Sequence, residues 1–147
     1  MRTDDFPPVT MDNHPGWDHR ENPLVVSEET MSKVNLATLG ASLTIPWVPL
    51  EFAQVDDYHC LLVLYQGSYP PHYHNKDEFF LVLSGAVDVE IEGEGTVTLQ
   101  EKEGLVVRAG LHHRSIARTP SALVLLFEAK NITYNPVVLV SQVQEQD

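Results

Sequence analysis

The chain has 147 residues, 43 % of them hydrophobic, which suits one domain with a real core and argues against disorder throughout. Its formal net charge of −12 argues against nucleic acid and anionic lipid as partners, since both call for a basic surface. No apolar run approaches the roughly 20 residues that span a bilayer.

Four of the ten prolines, Pro7, Pro8, Pro15 and Pro23, fall in the first 30 residues beside Asp4, Asp5, Asp12, Asp18 and Glu21, which predicts an extended arm. That N-terminus has no apolar signal core, so a cytoplasmic protein is expected. Trp17 reads equally as a residue docked on the barrel or on a second subunit and as part of a partly ordered tail. Residues 28–39 predict a short helix, with Ser27 as N-cap, Glu28 and Glu29 in the first turn and Gly40 as its end. Residues 41–52, with Pro46 and Pro49 around Trp47, read as irregular.

From Asp57 the texture changes. Strands are predicted over 58–66, 78–83, 86–92, 96–100, 105–107, 114–118 and 122–128. The stretch 86–92 alternates, with Val87, Val89 and Ile91 on one face and Asp88, Glu90 and Glu92 on the other. Gly93, Glu94 and Gly95 turn it into a hairpin. The single cysteine, Cys60, excludes an internal disulfide and is expected to be a small buried hydrophobe. Many short strands and almost no helix predict an all-β sandwich or small barrel. The division expected is 1–33 for the arm and short helix, 34–132 for the barrel and 133–147 for a C-terminal tail, which after Pro136 reads as a strand that then frays.

His72 and His74 are two apart, so on an extended strand both imidazoles point to one side, with Cα atoms roughly 6.6 Å apart. Pro70 and Pro71 stiffen the approach. Glu78 lies four residues beyond His74, and a bend at Asn75, Lys76 and Asp77 lets its carboxylate swing to the same point. His113 has to come from another strand, after the turn at Gly110 and Leu111. Three imidazoles and a carboxylate suit a first-row divalent metal with positions left for water or substrate, whereas calcium and magnesium prefer oxygen ligands. The residues alone leave two readings open, because a His-x-His pair is common on surfaces and a single buried histidine is more often hydrogen-bonded core than ligand.

The same residues resemble the two motifs of the cupin superfamily, most closely in small single-domain cupins of the RmlC-like, mannose-6-phosphate isomerase-like kind. The first motif runs Gly67, four residues, His72-x-His74, three residues, Glu78, six residues, Gly85, with a glycine-to-histidine gap one shorter than usual. The second keeps Gly110 and His113 but has Lys102, Arg108 and Ala117 where the family has glycine, proline and asparagine. Over residues 34–132 the resemblance implies a double-stranded β-helix, the cupin or jelly-roll barrel. It also implies a divalent transition metal (iron, manganese, nickel, zinc or copper) held by His72, His74, Glu78 and His113, and a homodimer. Oxygenase, isomerase, lyase and cyclase chemistry on small organic molecules all occur on this fold, which does not select among them. The alternative is a non-catalytic small-molecule-binding protein whose metal is structural or holds the ligand.

Phe80, Val82, Val87 and Val89 are expected to form an apolar inner wall. His59 and Tyr65 share a strand face with Leu61 and Val63, which makes either a candidate general acid or base beside the metal. His112, Tyr73 and Phe79 alternate away from the ligands and are expected at solvent, in packing or at an interface. Arg108 is expected to pair with a carboxylate rather than an anionic substrate, and His14 and His19 to be solvated.

Overall fold

The computed structural model describes residues 33–137. The predicted arm with His14, Trp17 and His19, the Ser27 cap and the tail past 137 lie outside the described residues. Among the described residues one helix, α1 (Leu36–Ser42), precedes ten strands: β1 (Leu50–Val55), β2 (Tyr58–Tyr65), β3 (His72–His74), β4 (Glu78–Ser84), β5 (Val87–Ile91), β6 (Gly95–Leu99), β7 (Gly104–Val107), β8 (His113–Ala117), β9 (Ala122–Ala129) and β10 (Tyr134–Pro136). They form two five-stranded antiparallel sheets, ordered β1-β2-β9-β4-β7 and β10-β3-β8-β5-β6. This is the double-stranded β-helix. No helix among the described residues is long and apolar enough to cross a membrane.

Alternation along each strand decides which side chains meet between the sheets. On the first sheet the register sets Leu61, Leu126 and Phe80 in one inward row and Val63, Val124 and Val82 in the next. Val87 and Val89 of β5 pack against them from the second sheet, all in one buried cluster. Each such side chain contributes about 1.5–3 kcal/mol by leaving water. At one end the inward rows turn polar, as His59, Glu128 and Glu78 stand in register on β2, β9 and β4. The outer face of the same sheet carries a second cluster, where Leu50, Phe52 and Leu62 are covered by Leu36, Leu39 and Leu43. Cys60 belongs to this outer cluster and is only half-buried.

Three expectations are corrected. The helix starts at Leu36, not before it: residues 33–35 are not helical, and Asn35 is the cap, its side chain accepting the Thr38 N–H at 3.0 Å. Gly40 lies inside that helix, where it packs so close to Leu123 that an added Cβ would come within 2.5 Å of a methyl. Residues 50–52, read as irregular, open β1, which pairs with β2 through a bulge between Glu51 and Ala53. The barrel also runs past 132, because β10 pairs with β3, Tyr134 opposite His74. Proline at the end of β10 is tolerated because β10 is an edge strand.

Lys102, where the family pattern has glycine, keeps the glycine-like backbone with φ of 71° and donates its N–H to the Val82 carbonyl at 2.7 Å. Gly85, which ends the first motif, has φ of 81°, and a Cβ there would lie 2.6 Å from the Thr119 hydroxyl and 2.7 Å from the Ser121 carbonyl. Neither the left-handed backbone nor the neighbouring main chain can yield cheaply, so Gly85→Ala should destabilise the fold by about 2 kcal/mol or more, read as a lowered urea midpoint.

Candidate metal centre

Strand β3 carries His72 and His74 on one side, and β8 begins with His113 directly opposite His72. Glu78 arrives from the other sheet, as the first residue of β4. The bend between them is fastened on both flanks. Asp77 accepts the Ala109 N–H at 2.9 Å and the Arg108 guanidinium at 3.0 Å, and Asn75 accepts the Thr133 N–H at 2.7 Å. Arg108 is thus engaged with a carboxylate at the surface.

The imidazole centroids are 4.8 Å apart for His72 and His74, 4.5 Å for His72 and His113, and 5.1 Å for His74 and His113. One ring nitrogen of each lies within 4.8 Å of those of the other two. The opposite nitrogens are committed. Nδ1 of His72 faces the Pro70 carbonyl at 2.9 Å, that of His74 the Thr133 carbonyl at 3.1 Å, and that of His113 the Leu111 carbonyl at 2.9 Å. A carbonyl only accepts, so each Nδ1 bears the proton and each Nε2 presents a lone pair.

Two of those lone pairs and one carboxylate oxygen have no protein partner to accept from. Nε2 of His74, Nε2 of His113 and Oε1 of Glu78 are buried atoms without a hydrogen bond. His74 Nε2 and Glu78 Oε1 lie 3.1 Å apart. Two donors each about 2.1 Å from one ion and at right angles would be about 3 Å apart, so the pair fits as neighbouring ligands. Buried acceptors turned toward one another cost free energy unless something positive lies among them. The donor set, imidazole nitrogens with one carboxylate oxygen, fits a first-row divalent transition metal.

The electrostatics favour the binding-competent protonation states. Burial, and then the neighbouring His113 and His74, lower His72 to about 3. Burial likewise lowers His113, against the pull of Glu78 and the Leu111 carbonyl. Neutral imidazoles beside an ionised carboxylate are the forms that ligate metal.

A cavity of about 20 Å³, room for a water-sized group, adjoins His72 and Glu78. Trp47, Tyr65, Tyr69, Phe80 and Tyr134 wall it, and its lining contains no lysine or arginine. Trp47 has φ of 68°, donates its indole N–H to the Gln66 carbonyl at 2.9 Å and packs on Tyr65 and Tyr69 with centroids 4.4 and 5.1 Å away.

The two acid–base candidates part company. Tyr65 lines the cavity, and burial raises its phenol. His59 does not line it; it is fully buried between Glu51 and Glu128, each 3.0 Å from one ring nitrogen. His112 points outward, 2.8 Å from Glu92 and stacked on Tyr73 at 4.8 Å. Phe79, also outward, is half-buried.

Sequence reasoning missed Tyr134 and Glu128. The Tyr134 hydroxyl donates to Glu78 Oε2 at 2.7 Å, and Glu128 Oε1 lies 3.3 Å from the same hydroxyl. Glu128 carried a usable signal, since it continues the inward alternation of Ala122, Val124 and Leu126. Tyr134 stood beyond the barrel boundary expected at 132.

A family profile described as the cupin domain matches residues 61–127. The uncharacterized protein YdbB of Bacillus subtilis is 27 % identical over 106 residues, covering 69 % of this chain and 94 % of its own. Among solved structures, a cupin-2 domain containing protein from Shewanella frigidimarina superposes with a TM-score of 0.62 at 26 % identity, covering 65 % of this chain and 93 % of that one. A hydroquinone 1,2-dioxygenase from Sphingomonas sp. TTNP3, solved with 4-hydroxybenzoate bound, shares the fold at a TM-score of 0.56 and 15 % identity, covering 65 % of this chain and 72 % of that one. With its two sheets, its motif residues gathered at one end and this profile across the centre of the barrel, the chain carries a cupin domain over residues 61–127.

Proposed function

We propose that this cupin is a metal-dependent enzyme acting on a small organic molecule, with His72, His74, His113 and Glu78 as the metal ligands. The observation that carries the reading is the set of buried, unpartnered acceptors on His74, His113 and Glu78, beside a cavity lined by Trp47, Tyr65 and Tyr69. A bound divalent ion would supply a Lewis acid there. The chain's own contribution is to hold the ligands and offer apolar walls with phenol hydroxyls. Since no cationic side chain lines the cavity, an uncharged group of the substrate at the metal fits better than a phosphate or carboxylate, with the rest of the molecule outside this small space. One dioxygenase shares the fold, so oxygenase chemistry is within its range; isomerase, lyase and cyclase chemistry stay equally open.

The homodimer is part of the same proposal. Tyr58, Val106 and Phe127 are exposed on the first sheet, and Tyr58 stacks on Phe127 at 5.3 Å. Exposed apolar groups of this size favour an interface. Sedimentation equilibrium should give twice the chain mass, and Phe127→Ser should shift the protein toward monomer; a monomeric wild type would refute this part.

His74→Ala should weaken binding of zinc, iron, manganese or nickel by more than about 100-fold while the far-ultraviolet circular dichroism is retained. Stoichiometric metal in the variant, or no metal uptake by the wild-type protein, would defeat the assignment. Turnover screens with each metal then separate enzyme from binding protein.

Acid should weaken the metal-free fold. His72 stays neutral in the native state down to about 3, whereas the unfolded chain takes up that proton near 6.5, so the unfolded state gains protons first and stability falls with pH. Between about pH 7.5 and about pH 5 this group alone should remove roughly 2 kcal/mol, read from urea midpoints, and His72→Gln should flatten the slope.

A further inference from the structure

The inner face of the first sheet is apolar along most of its length, yet it ends in three ionisable side chains set directly side by side. The register pairs His59 with Glu128 and Glu128 with Glu78 across β2, β9 and β4. All three are at most 1 % exposed, and so is Glu51. Carboxylates opposite each other on one face of a sheet repel, and burying ionisable groups rarely stabilises a fold more than an apolar row of the same volume. What distinguishes this end of the sheet is that it meets the histidine cluster.

The contacts form one chain. Glu51 Oε2 lies 3.0 Å from His59 Nδ1, and His59 Nε2 lies 3.0 Å from Glu128 Oε2. Glu128 Oε1 is 3.3 Å from the Tyr134 hydroxyl, which donates to Glu78 Oε2 at 2.7 Å. Tyr134 is itself clamped between ligands, stacked on the His72 ring at 5.2 Å and edge-on to the His74 ring at 4.2 Å. Every member thus fixes the rotamer of the next, and the chain ends on one oxygen of Glu78. The other oxygen, Oε1, is the atom turned to His74 Nε2.

We propose that Tyr134 and Glu128, braced by His59 and Glu51, are positioning residues that make Glu78 a one-oxygen ligand, withholding Oε2 so that only Oε1 can reach the metal. This rests on the metal reading above and adds to it a cause for the ligand's geometry. Partners outside the ligand set commonly change metal affinity 10–100-fold when removed, because an unheld ligand must be ordered by the ion itself. His59, on the sequence a candidate acid or base, acts here through Glu128 and not on substrate.

The test uses the full chain, stripped of metal and titrated with zinc against a chromophoric chelator, and then loaded with cobalt for its visible spectrum. Tyr134→Phe keeps the ring and both imidazole contacts and deletes only the hydroxyl. It should raise the zinc Kd about 10–100-fold. It should also weaken the visible cobalt absorption, as Glu78 swings to bind through both oxygens and the coordination number rises. A purely structural hydroxyl would lower the urea midpoint of the metal-free protein and leave the Kd and the cobalt spectrum of the folded protein unchanged, and that result would overturn the proposal. Glu128→Gln, which keeps a hydrogen-bonding side chain, should shift the Kd in the same direction by less than Glu128→Leu. If Tyr134→Phe does not fold, the Glu128 pair decides, and equal affinities for wild type, Gln and Leu would sink the idea. Wild-type protein that fails to take up zinc or cobalt would instead remove the metal reading and this inference with it, whereas tight wild-type binding unaffected by these variants removes this inference alone.

Discussion

Three main-chain carbonyls decide what the centre of this molecule can do. By taking the Nδ1 protons of His72, His74 and His113, the carbonyls of Pro70, Thr133 and Leu111 turn all three Nε2 lone pairs inward. Two of these carbonyls belong to residues two positions before the histidine they serve, so the strand entries themselves orient the rings. The proline pair at 70 and 71 and the turn at 110 and 111 are therefore part of the site, although neither places an atom in it. The third carbonyl, from Thr133, is held by the loop that leads into β10, and Asn75 ties that loop back to the bend after His74.

Much of the barrel is legible in the sequence because the strands that meet between the sheets alternate cleanly. The alternation of 86–92 and the inward faces of 58–66 and 78–83 reappear as β5, β2 and β4, within a residue or two. The motif histidines are legible for a related reason: spacing by two residues on a strand is spacing by one face. What escapes is what depends on distant partners. Strand β1 is hidden because its burial is continuous where a bulge interrupts it, so Leu50, Glu51 and Phe52 show no alternation. The start at Leu36 is hidden because it depends on Asn35 as cap and on the packing of Leu36, Leu39 and Leu43 against the sheet, neither of which local pattern announces. Strand β10 has three residues and a proline, too little pattern to read, yet it brings Tyr134 against Glu78. The role of Glu128 could not follow from its inward parity alone while its partner stood outside the expected barrel.

The polar end of the core runs against the rule that governs the rest of it. Leu61, Val82, Val89 and Val107 are excluded from water as hydrocarbon, at a gain per side chain. Glu51, His59, Glu128 and Glu78 are excluded as well, but hold together only because each finds a partner at hydrogen-bonding distance. Such a network specifies one arrangement sharply, since losing any member leaves its neighbour buried and unmatched. A ligand constellation built on strands and held by such a lattice is stiffer than one built on loops.

The four motif side chains do not come from one layer. His72, His74 and His113 project from the second sheet and Glu78 from the first, facing them across the sandwich. An ion seated among them would work as a rivet through both layers at one end, where a hydrophobic core alone lets two sheets slide and breathe. The far end of the barrel, around the 84–87 turn, would keep its freedom. Loading and emptying the centre would then change how the two layers move against each other as well as what the pocket binds.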